Sequence, residues 1–257
     1  MKRALRLTAV GWVFHVKGLT MSGFFVVTTT FLPLVLATTA SYMARAGQRQ
    51  GTLLYVSLGA GVMGIWSSTL FGSGGAIQWQ RWQGTLELIV AAPAGFVLVI
   101  LSLTLATATV GIYSLASTLI WGWLVFGVPF HLVHPFLFVV AVPAAVLGLG
   151  LLGLVLASTF VLYRYANALS NMLEFPVLFV TGLLVPVALL PGWAQPVSWV
   201  LAPTWGMNAI RQAALGGSPL DDLAMTLLLG ACYLVLGSVL LENFARLARD
   251  RATLALT

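Results

Sequence analysis

Charge is what this sequence has least of. Its 257 residues include 12 Lys or Arg and 6 Asp or Glu, so 7% are charged, while 60% are hydrophobic. Soluble domains carry about 25% charged and about 45–50% apolar residues. With a mean hydropathy of +1.02, the composition excludes an ordinary soluble enzyme and a disordered chain. Cysteine is almost missing as well. Cys232 stands alone, which excludes an internal disulfide and leaves the redox compartment unread. The sequence contains no P-loop, no H-E-x-x-H and no G-x-S-x-G. Nothing in it points to catalysis by this chain. The excess of basic residues bears on membrane orientation rather than on nucleic acid.

What the sequence does have is long apolar runs. Six lie at roughly 21–43, 52–76, 94–122, 136–161, 168–190 and 221–241, each close to the ~20 residues that cross a bilayer. They predict an all-α membrane protein with six transmembrane helices, forming one membrane domain over residues 1–257. Arg45 and Arg49 follow the first run, Arg81 and Glu87 the second, Pro129, His131, His134 and Pro135 the third, and Arg164 the fourth. An even number of spans puts both termini on one side. With that side inside, Lys2, Arg3, Arg6, Lys17, Arg81, Arg164, Arg246, Arg249 and Arg251 fall inside, against Arg45, Arg49 and Arg211 outside. The imbalance predicts cytoplasmic termini.

The start is not a cleavable signal peptide, because Lys17 interrupts the apolar core one would need. Residues 1–20 read as an interfacial helix instead. Leu5, Ala9, Trp12, Val16 and Leu19 make one apolar stripe, with Lys2, Arg6 and Lys17 on another side. Such a helix suits the surface of an anionic leaflet, and packing on the protein itself is compatible with that.

Two stretches spell G-x-G-x-x-G: Gly59, Gly61, Gly64 and Gly148, Gly150, Gly153. A dinucleotide fingerprint needs a strand before it and an acidic residue about 20 positions on. Both stretches lie inside apolar runs, so they predict close helix–helix packing. Ala60, Gly64, Ser68 and Gly72 continue one small-residue ladder. His131 and His134 lack further ligands nearby, and a polar loop is expected there rather than a metal site.

Residues 78–88 read Q-W-Q-R-W-Q-G-T-L-E-L. As a helix, Trp79, Trp82, Leu86 and Ile89 share one face and Gln80, Gln83 and Glu87 the other. A short amphipathic helix within 77–92, ended by Pro93, is expected on the cytoplasmic surface. Arg81 and Glu87 presented together would suit docking to another protein. The segment 191–220 is too broken by proline to span and too apolar for a free loop. Two short helices, at about 193–200 and 205–215 with Ala202-Pro203 between them, are expected to dip into the outer leaflet. Glu174 is the one acidic residue placed inside a spanning run rather than at its end, where Asp221 and Asp222 open the sixth. It must be protonated, paired or facing a wet cavity. A salt bridge to Arg164 is one reading. The other is a cytoplasmic entrance that attracts cationic amphiphiles, with Phe175 and Phe179 offering aromatic surface to the same cargo.

The stretch G-T-L-E-L-I-V-A-A-P (Gly84 to Pro93) resembles the "GTLE…P" stretch of ABC-2 type transporter permeases. L-L-P-G-W…P-T-W-G-M-N-A-I-R (Leu189 to Arg211) resembles that family's segment before the last helix. The span count, the basic N-terminal helix and the short fourth-to-fifth connection also match, so the resemblance covers nearly the whole chain. Within the family it looks most like permeases of daunorubicin-resistance type. One departure is that Gln80, Arg81, Trp82 and Gln83 stand where the family often has an acidic or basic pair.

The resemblance implies a half-transporter of the bacterial inner membrane that exports an amphipathic drug, antibiotic or lipid-like substrate. A second permease copy or a paralogue would pair with it, within membrane lipid. Two ABC ATPase subunits, binding ATP and Mg that this chain does not bind, would dock on it. Arg81, Gln83, Gly84, Thr85 and Glu87 would couple to them. Pro191, Trp193, Trp199, Trp205 and Arg211 would form the outer gate. The rival readings are a stand-alone secondary transporter or channel, a polysaccharide or lipid-linked glycan exporter, and an intramembrane enzyme. The one broken region, 191–220, has no counterpart in the first half, unlike the paired breaks of many secondary transporters.

Overall fold

A computed structural model of the chain describes residues 2–46, 53–84, 95–128, 132–162, 166–183 and 186–251. Among the described residues there is no strand. The helices are α1 (Lys2–Met21), α2 (Gly23–Ala46), α3 (Leu53–Trp82), α4 (Phe96–Val110), α5 (Ile112–Phe126), α6 (Pro135–Leu162), α7 (Ala166–Val180), α8 (Ala194–Trp199), α9 (Ala202–Leu215) and α10 (Leu220–Arg251). A 3-10 turn, Val187–Leu189, leads into α8.

Among the described residues, five segments are long and apolar enough to cross a membrane: Phe25–Ala46, Leu53–Trp82, Phe96–Phe126, Pro135–Val161 and Leu220–Phe244. The fifth expected run falls short of the sixth span. Its helix, α7, has 15 residues, about 22 Å at 1.5 Å per residue, against a hydrocarbon core of about 30 Å. It stops at Thr181 and Gly182, where Gly182 adopts φ 74, a left-handed turn that glycine makes without a Cβ clash. The third run is two helices, α4 and α5, joined at Gly111. There the Gly111 N–H bonds the Thr107 carbonyl and the Ser114 N–H bonds the Gly111 carbonyl. A Cβ at Gly111 would lie 2.6 Å from Ile65 Cα, so the glycine lets α3 press against the joint.

α3 is the buried centre. Leu58, Met63, Ile65, Trp66 and Leu70 are fully enclosed. The G-x-G-x-x-G stretches lie within α3 and α6, and their glycines are contact points between helices. Added methyls would overlap Leu183 at Gly59, Leu115 and Thr118 at Gly61, Ser114 and Pro33 at Gly64, Leu105 at Gly150 and Thr69 at Gly153. α10 lies on α6 through small residues too. Gly230 faces Leu151, Gly237 faces Leu154, and Gly148 faces Thr226. Close backbone approach gives dispersion contacts where the hydrophobic effect cannot draw helices together. Cys232 is on the exposed side of α10, so lipid, not protein, would shield it.

α1 packs on α4. Gly11 sits against Ser102, and the Trp12 indole N–H donates to Thr109 Oγ1 at 3.0 Å. The covered stripe is Ala4, Thr8, Trp12, His15, Val16 and Leu19, while Leu5 and Ala9 stay exposed. It is thus turned slightly from the stripe the sequence suggests.

Candidate functional site

Glu174 is near the middle of the short helix α7 and is 5% exposed. The buried face of α7 is Ser170, Glu174, Leu178, spaced four apart. The opposite face exposes Met172, Phe175 and Phe179. The structure therefore separates Glu174 from Phe175 and Phe179, which the sequence reading assigned to one surface. Arg164, the partner the sequence offered, lies outside the described residues. Ser67 Oγ donates to Glu174 Oε1 at 2.7 Å. Oε2 makes no hydrogen bond among the described residues, yet it is not sealed off. Ser67 is about 21 Å from either end of α3 at 1.5 Å per residue. The pair thus sits near the bilayer midplane, where an unpaired charge costs about 3 kcal/mol or more.

Ser67 also lines a cavity of about 540 Å³ between α2 and α3. Phe25, Phe31, Leu32, Ser68 and Phe71 wall it. α2 and α3 run antiparallel here, with Pro33 against Gly64. The cavity extends from the level of the Glu174 pair toward the start of α2. One end of it is polar and the rest is apolar.

Arg211 was assigned to the outer gate. It is 6% exposed on α9 and binds across three elements. Its Nη1 donates to the Gly182 carbonyl at 2.8 Å and its Nη2 to the Leu183 carbonyl at 2.5 Å. Its guanidinium lies 3.4 Å from the centroid of the Tyr55 ring. The carbonyls just past α7 have no intrahelical partners, and a cation satisfies them and suits the negative end of the helix dipole. Gly59 makes room, since a Cβ there would overlap the Leu183 oxygen and come 2.9 Å from Nη2. Sequence reading missed Tyr55 and Gly59 as partners of Arg211. Their only trace was the Gly-rich spacing.

Two other arginines act the same way. Arg45 Nη2 donates to the Phe126 carbonyl, the last of α5, at 2.7 Å and stacks on the Phe126 ring. Arg81 Nη2 donates to the Val161 carbonyl, at the end of α6, at 2.6 Å. The expected docking segment is described only as far as Gly84. Gln78–Trp82 is the last turn of α3, not the start of a separate amphipathic helix. One nitrogen of Arg81 thus reaches α6. Gln83 and Gly84 are exposed, and Gly84 has φ 66, which ends the helix. Thr85 and Glu87 lie outside the described residues.

The segment 191–220 forms two short helices, as expected, but the break falls two residues early. It lies at Val200–Leu201, and Pro203 sits in the first turn of α9, where its missing N–H costs nothing. Tyr233 on α10 locks the break: its hydroxyl donates to the Val200 carbonyl and accepts from the Ala202 N–H. Gln212 Nε2 donates to Asp222 Oδ2 at 2.7 Å. The carbonyls of Ala213 and Ala214, at the end of α9, accept from His134 and Val133. α9 is consequently embedded. α8 instead exposes Trp193 and Trp199, with the Trp205 indole donating to the Trp199 carbonyl at 2.8 Å. Pro191 is exposed before it. His131 lies outside the described residues, and no cluster of three or more His, Cys, Asp or Glu able to hold a metal occurs among those described.

The chain matches none of the curated proteins with which it was compared. The profile of the ABC-2 type transporter family matches residues 16–215, a span that takes in α2 to α9 with their arginine-capped ends, the buried Glu174 pair and the embedded α9. The chain belongs to the ABC-2 type transporter family, whose members are membrane-spanning permease subunits of ABC transporters and work with an ABC ATPase.

Proposed function

We propose that this permease exports an amphipathic drug, antibiotic or lipid-like substrate from a bacterial cell, across the inner membrane. The cavity between α2 and α3 carries the reading. It is within the membrane, three phenylalanines wall it, and its polar end is near the midplane. That is the shape an amphiphile fills and a hydrated ion does not. Two permeases, identical or paralogous, pair within the lipid, and each docks an ATPase that binds ATP and Mg. Both termini face the cytoplasm. Motion enters through the end of α3 and the residues after it, Arg81, Gln83, Gly84, Thr85 and Glu87. It leaves through the outer segment, where Pro191, Trp193, Trp199 and Trp205 form the gate and Arg211 anchors it to α3 and α7. Daunorubicin-like compounds are the first cargo class to try.

Affinity purification of the tagged chain from its native membranes tests the proposal. A P-loop ATPase should copurify, and amphiphilic compounds should stimulate its ATP hydrolysis in nanodiscs. A chain that purifies without any ATPase, or an ATPase that no amphiphile affects, would overturn it.

A further inference from the structure

We infer that the Ser67–Glu174 pair, with the phenylalanine-walled cavity in front of it, is a binding site for the cationic head of an amphiphilic cargo. This rests on the permease reading above and names the substrate class for it.

The argument starts from an imbalance. Glu174 is 95% enclosed on a helix face that otherwise carries Ser170 and Leu178. Its one hydrogen bond among the described residues comes from a neutral hydroxyl, Ser67 Oγ, at 2.7 Å. A hydroxyl donates one hydrogen bond and supplies no charge. The three described arginines that cap helix ends bond backbone carbonyls elsewhere: Arg45 that of Phe126, Arg81 that of Val161, and Arg211 those of Gly182 and Leu183. The carboxylate is therefore left with a free oxygen and no countercharge from these groups. A structural buried carboxylate is instead paired.

The geometry then selects the ligand. Ser67 lines the cavity and Glu174 does not, so a group at that end meets the Ser67 hydroxyl first and feels the carboxylate across it. Phe25, Phe31 and Phe71 surround the remainder. Aromatic faces attract a cation, and most strongly one removed from water. They also bury an alkyl or aromatic body. An anion would face a carboxylate, and a sugar would find almost nothing to hydrogen-bond. A primary or tertiary ammonium on an apolar body satisfies both ends at once. Because the cavity runs from the midplane toward the start of α2, cargo reaches it from that leaflet.

The test is binding, read on full-length permease in phosphatidylcholine nanodiscs with any copurified ATPase and no nucleotide. The probes are a fluorescent dodecylammonium and its N-acetyl derivative, in which a small neutral amide replaces the charged head on the same chain. Fluorescence anisotropy should show the ammonium binding at least about tenfold tighter, equivalent to about 1.4 kcal/mol. Glu174→Gln, nearly isosteric and still able to bond Ser67, should abolish that preference and leave the acetyl probe unchanged. Phe31→Ala should weaken both probes together. Ser67→Ala leaves the carboxylate in place and should keep the ammonium preference, while unchanged binding of the acetyl probe shows that Glu174→Gln is folded. Equal affinities in the wild type, or a preference that survives Glu174→Gln, would overturn the inference. So would displacement of the probe by phosphatidylethanolamine added to the nanodiscs, which would assign the site to a lipid amine. None of these results would touch ATPase partnership, so the wider reading fails or stands separately.

Discussion

Arg211→Ala should cost this protein more stability than any other single charge removal among its described residues. Two hydrogen bonds from a charged donor, to Gly182 and Leu183, contribute about 1.5–3 kcal/mol each. The desolvated stacking on Tyr55 adds about 2 kcal/mol. Their sum is a ceiling, because truncation also relieves the desolvation of a buried cation, and a net loss of about 3–5 kcal/mol is expected. At about 2–4 °C per kcal/mol for a chain of this size, the melting midpoint falls by on the order of 10 °C. Arg211→Lys keeps the charge but replaces the two-pronged donor with one ammonium. It should recover about half of the loss, as one hydrogen bond in place of two. Tryptophan fluorescence melts in detergent measure all three proteins. A midpoint for Arg211→Ala within about 2 °C of wild type, less than the shift for 1 kcal/mol, would refute the claim that this side chain ties α9 to α7 and α3.

Gly59→Ala attacks the same junction from the other side: its methyl would overlap the Leu183 oxygen and crowd Nη2, so it should lower the melting midpoint and the yield together, and a wild-type melt would show that the junction has slack. Arg81→Ala and Glu87→Ala should differ. Arg81→Ala uncaps α6 and should cost about 1–3 kcal/mol of stability, whereas Glu87→Ala should leave the melt unchanged and reduce transport, and normal transport at normal expression would remove Glu87 from the coupling path. Orientation is read with Ser218→Cys in a Cys232→Ser background, since Ser218 is exposed in the loop between α9 and α10 without the positive φ of Gly217. Impermeant maleimide should label it in intact cells, and labelling only after lysis would reverse the topology.

The helical plan was legible because apolar runs near span length have few other solutions. Gly148, Gly150 and Gly153 were legible as packing because their context lacked every other part of a nucleotide site. The embedded segment was legible from prolines and tryptophans that fit neither a span nor a loop. What the sequence hid is what depends on distant partners. Arg81 meets Val161 across 80 positions, and Glu174 meets Ser67 across 107. Local patterning marked Arg81 as one face of an amphipathic helix because helical periodicity carries no sign of where a neighbouring helix ends. It also could not show that α3 continues unbroken through Trp82. Glu174 was singled out correctly as the exceptional residue in its run, but the adjacent Phe175 was drawn into its site by sequence proximity. A rotation of about 100° per residue separates them.

The central claim is that this chain moves cargo only when a separate ATPase drives it. Proteoliposomes holding the permease, alone or with its copurified ATPase, can be followed for uptake of the dodecylammonium probe on addition of ATP and Mg. The account expects uptake with both proteins and ATP, none with the permease alone, and none with a non-hydrolysable nucleotide. Uptake by the permease alone, driven by an ion gradient and indifferent to ATP, would contradict it.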